Sequence, residues 1–155
     1  MDYELELQAV QTWLKTSSGL NSWRRAGALP TLARPVVIWE SPYRGRKKHL
    51  NRYAYTQNVK FYGKLFINSV DEALRLQNHL IEDLENRCGI LNVYNVDGDL
   101  VGYIKAAEIS FKDTEGLDIP FTFAYEASYS RTKPAPIPPP RYVATKVHSN
   151  YSNNN

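Results

Sequence analysis

Between Lys60 and Tyr129 the apolar residues run at period two, then at helical spacing, then at period two three more times. Each such element has one apolar face to bury, so a chain with this order must stack helix on sheet. Tyr53 to Ile67 is the first long strand, with Tyr53, Tyr55, Val59, Phe61, Leu65 and Ile67 on one side. Ser69 to Arg87 is the clearest helix. Ser69 and Glu72 form a capping-box pattern, and Gly89 sits where a left-handed residue closes a helix. Ala73, Leu74, Leu76, Leu80, Ile81, Leu84 and Cys88 make its apolar stripe, which places Cys88 inside. Three strands follow: Ile90 to Tyr94, Leu100 to Lys112 and Leu117 to Tyr129, with Asp97-Gly98 turning a hairpin. Val101, Tyr103, Ala107, Ile109 and Phe111 share one side of the middle strand. Pro120 lacks an N–H and belongs near a strand end or on an edge.

Around this core the pattern weakens. Asp2 to Thr16 suits a helix, with Tyr3, Leu7, Val10 and Leu14 in register and Asp2, Glu4 and Glu6 complementing its dipole. Residues 20–35 read as loop, Val36 to Trp39 as a short strand, and Ser41 to Arg52 as an extended loop. The expected fold is α+β: an antiparallel sheet of about four to five strands packed by one or two helices. It occupies residues 1–130, with the basic 41–52 loop inserted. From Arg131 the core pattern ends, and Pro134, Pro136, Pro138, Pro139 and Pro140 predict an extended arm over 131–155.

No residue set points to chemistry. The chain has 155 residues and a net charge of +3, room for one domain with appendages and too little charge to demand a nucleic-acid partner. Cys88 is the only cysteine, so an internal disulfide and a cysteine-based zinc site are both excluded. His79 near Glu82 and Asp83 lacks a second histidine or cysteine to complete a ligand set. No nucleophile elbow, P-loop or dinucleotide fingerprint occurs, so no enzyme and no cofactor are expected. No apolar run is long enough to span a bilayer, and the acidic start has no signal-peptide character.

The basic segment is the first candidate for function. Arg44, Arg46, Lys47, Lys48 and Arg52 are interleaved with Tyr43, Tyr53 and Tyr55. Arginine with tyrosine suits protein interfaces, single-stranded nucleic-acid grooves, or a plain solvated loop. Pro136, Pro139, Arg141 and Tyr142 of the arm are further interface candidates. Glu82, Asp83 and Glu85 form an acidic helix patch, otherwise an ordinary solvated face.

KFYGKLFINSVDEALRLQNHLIEDLENRCGILNV, GYIKAAEISFKD and IPFTFAYEASY, together with the order of elements before them, resemble the tail-terminator (tail-completion) proteins of long-tailed bacteriophages. The proline-rich arm is not part of that pattern. The resemblance implies a non-enzymatic virion protein, assembled in the host cytoplasm. It would form a hexameric ring that ends tail-tube polymerisation and joins the tail to the head connector. Its partners would be itself, the tail tube protein and the neck proteins. DNA would pass through the lumen without specific binding, past Glu82, Asp83 and Glu85, and no membrane would be involved. Rival readings are another neck or tail tube protein of the same fold, or a nucleic-acid-binding module using residues 44–52.

Overall fold

The computed structural model describes residues 2–24, 33–112 and 116–130. Helix α1 (Tyr3–Ser18) stops at Gly19, which adopts φ +68° and donates its N–H to the Lys15 carbonyl at 3.0 Å. Strands β1 (Asn21–Arg24), β2 (Val36–Trp39), β3 (Tyr43–His49) and β4 (Ala54–Phe66) precede helix α2 (Val70–Asn86). Strands β5 (Leu91–Tyr94), β6 (Leu100–Phe111) and β7 (Asp118–Ser130) follow it. The seven strands form one curled sheet in the order β1-β2-β4-β7-β6-β5, with β3 also paired to β4. β7 pairs with the whole of β4 on one side. On the other side β4 has two partners in succession, β2 against Gly63–Phe66 and β3 against Tyr55–Lys60.

The α+β class and the main elements agree with the sequence reading, but the sheet does not. It is mixed rather than antiparallel, because β1 runs parallel to β2, and it has seven strands rather than four or five. The two extra strands come from segments that read as loop. β1 buries only Ser22 and so shows no apolar alternation. β3 buries none of its residues fully, and between Arg44 and Lys47 it carries one more residue than β4 does opposite. That bulge at Gly45–Arg46 breaks the period and twists a cation-rich margin strand, a device that discourages stray edge pairing.

A second bulge corrects the faces of β6. Its register against β7 shifts between Lys105 and Glu108, and Ala106 takes φ +49°. Ile104, Ala107 and Ile109 therefore point inward, while Val101 and Tyr103 are exposed. The end of α2 docks on this bulge. Gly89, at φ +64°, accepts the Ala107 N–H at 2.9 Å, and a side chain there would meet Ala107 backbone atoms at 3.1 Å. Cys88, expected inside, is exposed beside it. Pro120 is the third residue of β7, just past the end of β6, where its missing N–H costs little.

Both helices face one core. Leu7, Val10, Trp13 and Leu14 of α1 join Ala73, Leu80 and Leu84 of α2 over Val59, Phe61, Leu65, Ile119, Phe121 and Phe123. Trp13 meets Phe123 at 5.1 Å between ring centroids, and Phe61 meets Phe123 at 5.1 Å and Trp39 at 4.9 Å. The Phe121 ring lies across Gly63 so closely that a methyl group there would stand 2.3 Å from it. Lys60, Lys64, Glu108, Lys112, Thr122 and Glu126 lie on the opposite side of the sheet.

Candidate functional site

The basic segment is a hairpin arm of the sheet, and the bulge sorts its side chains. Before the bulge, Arg44 lies opposite inward-facing Val59 and turns into the molecule. It meets Glu6, a residue of α1 with no solvent exposure, at 2.9 Å. Glu6 also accepts hydrogen bonds from the Tyr125 hydroxyl at 2.5 Å and from the Tyr129 hydroxyl. Arg44 donates to Tyr129 as well, and its guanidinium stacks 4.1 Å from the Tyr3 ring centroid. Its Nε is buried without a hydrogen-bond partner among the described residues.

This cluster joins α1, β3 and β7 through one carboxylate. Burial pushes the Glu6 carboxyl above its usual range; the Tyr125 hydroxyl and the Arg44 charge oppose that shift without cancelling it. Burial and the neighbouring Glu6 push the Tyr125 hydroxyl upward too. The sequence pattern assigns Arg44 to an interface; within the single chain its guanidinium is engaged with Glu6, and 22% of the side chain stays exposed. The pattern also gives Glu6 no role beyond the helix dipole. Its position within the Tyr3, Leu7, Val10 stripe is the available signal that it faces the core.

After the bulge the strand turns outward. Arg46, Lys47, Lys48 and His49 are exposed, as are Leu50 and Arg52 beyond the strand. Tyr43 is 72% exposed. Lys47 sits 4.8 Å over the Tyr55 ring, Arg52 lies 5.7 Å over Tyr53, and Lys60 lies 5.5 Å over Tyr62. Tyr55 is half-buried and stacks on Tyr129 at 5.3 Å, so Lys47 rests on an aromatic ring anchored in the fold. Of the predicted interface set, Tyr43, Arg46, Lys47, Lys48 and Arg52 form the exposed surface, and Tyr53 and Tyr55 support it. Pro136, Pro139, Arg141 and Tyr142 lie outside the described residues.

The acidic patch on α2 divides. Glu82 and Glu85 are exposed, but Asp83 turns toward α1. It accepts from Trp13 Nε1 at 2.7 Å, Ser17 Oγ at 2.9 Å and Arg87 Nε at 2.8 Å. Partial burial alone would raise its pKa; the hydrogen bonds from Arg87, Trp13 and Ser17, with the Arg87 charge, hold it below the usual carboxylate range. Asp83 therefore clamps the two helices together. No group of three or more His, Cys, Asp or Glu side chains able to hold a metal occurs among the described residues. Among those residues no helix is long and apolar enough to cross a membrane. No protein-family model matches the chain, and no curated protein matches it.

Proposed function

We propose that this chain is a structural assembly subunit: a tail-terminator-type protein that forms a ring at the head-proximal end of a phage tail. The ring would end tube polymerisation and present a joining face to the head connector. The observation that carries the reading is how much adhesive surface the fold leaves outside. Trp23 is 62% exposed, Tyr43 72%, Tyr62 50% and Tyr103 46%, along an open sheet with short outer strands. Aromatic side chains of this kind anchor protein interfaces. The strongest polar constellations, around Glu6 and Asp83, are meanwhile occupied with holding α1 to β3, β7 and α2. Copies meeting head to tail through such surfaces close into a ring when the rotation between them closes.

The cations over Tyr53, Tyr55 and Tyr62 favour a second reading, a single-stranded nucleic-acid contact. Native mass spectrometry of the full chain separates the two. A discrete ring, expected to be a hexamer, supports assembly. A monomer that binds single-stranded DNA with a steep salt dependence would replace that reading with the second.

A further inference from the structure

β6 is paired along only part of its outer side. β5 covers it from Leu100 to Ile104, and the Gly89 carbonyl takes the Ala107 N–H. The Lys112 N–H is donated inward to Pro120 of β7. Alternation between these two bonds turns the backbone groups of Ile109 and Phe111 away from β7. Beside them lies a cleft of about 410 Å³ between α2 and β6. Ile81, Leu84, Ala107 and Ile109 line it with apolar surface; Glu85 lines it from α2, and Glu108 borders it from β6. An extended segment that supplies backbone partners, apolar side chains and positive charge would fit all three features.

We propose that this cleft receives residues 141–147 of a second copy of the chain. The proposal rests on the self-assembly reading above and names the contact that would link neighbouring subunits. Residues 131–155 carry Arg131, Lys133, Arg141 and Lys146 and no acidic side chain, the complement of a cleft flanked by Glu85 and Glu108. Val143, Thr145 and Val147 recur at period two with β-branched side chains, the composition of a strand. The route favours a neighbour's cleft over the chain's own. Glu108 lies opposite Ala124, and β7 then continues to Ser130, about 20 Å further from the cleft. Five of the seven residues from Pro134 to Pro140 are proline, a composition that favours an extended spacer over a tight return.

Cys88, the only cysteine, is exposed and lines this cleft, and it supplies the test. Val143→Cys is introduced into the full chain, oxidised with diamide and resolved on a non-reducing gel. Native mass spectrometry follows the same sample before oxidation. The expected result is a ladder of disulfide-linked dimers and higher species that is lost when Cys88→Ser is added. Glu85→Lys with Glu108→Lys should lower the yield of that ladder severalfold. A ring that forms without the ladder, or in which Cys88 bonds to the introduced thiol only inside one chain, overturns the proposal and leaves the ring reading standing. A monomeric sample overturns both.

Discussion

Arg44 belongs to a run of cations, yet its guanidinium packs inside the molecule against Glu6. Removing one partner of such a pair leaves the other buried and uncompensated, which is the expensive way to break it. Arg44→Met should cost about 3 kcal/mol in urea unfolding. Adding Glu6→Gln to it should cost less than the sum of the two single changes, because the neutral amide no longer needs a cation. Strict additivity would mean the pair is not coupled. The pH dependence has a definite sign. The Glu6 carboxyl is raised above 4.5 in the folded protein, so the folded state holds that proton more tightly than the unfolded one. Its contribution is complete below 4.5 and is lost as pH rises through the folded value. The unfolding free energy of the wild type relative to Glu6→Gln should therefore grow as pH falls toward 4.5. A difference that shrinks on acidification contradicts this assignment.

At the scale of elements, Asp83 tests how the two helices are held together. Its carboxylate receives three hydrogen bonds from Trp13, Ser17 and Arg87, and only the last comes from its own helix region. Asp83→Ala should cost about 2 kcal/mol, since it strands the buried edge of Trp13 along with two less buried donors. The sign here is opposite to that of Glu6. The folded pKa lies below 3.8, so the contribution is present above that value and is lost as pH falls through the folded one. The wild-type advantage over Asp83→Asn should therefore shrink in acid, and one that persists unchanged would show that the ionised carboxylate is not its source.

These same elements show what the sequence can reveal. α1, α2, β4 and β7 are legible because each sustains one period over many residues. β1 and β3 are not, because a short outer strand with few buried side chains leaves no alternation to read. The faces of β6 go astray at Ala106, since a bulge adds one residue without any apolar signal. The site is half legible. Residue types mark the 43–52 segment, but only the bulge at Gly45–Arg46 decides that Arg44 points in while Lys47 and Lys48 stay exposed.

At the scale of the whole molecule, on the proposed assembly reading, that sorting would separate folding from assembly within one strand. Arg44 holds β3 to α1 and β7. Beyond the bulge, Arg46, Lys47 and Lys48 make no ion pair shorter than 4 Å with an acidic side chain of the described residues. Exposed lysines and arginines of this kind add little to stability, and their replacement should change it by less than about 0.5 kcal/mol. On the proposed assembly reading they would set the field that a neighbouring subunit meets, and such fields act chiefly on association rate and partner choice. Arg46→Ala, Lys47→Ala and Lys48→Ala combined should therefore unfold at the wild-type urea midpoint while forming rings more slowly. The defect should be largest at low ionic strength, where the wild type gains most from these charges. Arg44→Met should behave in the reverse way, losing stability first and assembling only as far as folded protein remains. If the triple variant assembles at the wild-type rate in low salt, the cations are solvating groups, and the proposed interface is left to the aromatic surface of Trp23, Tyr43, Tyr62 and Tyr103 and to the cleft between α2 and β6.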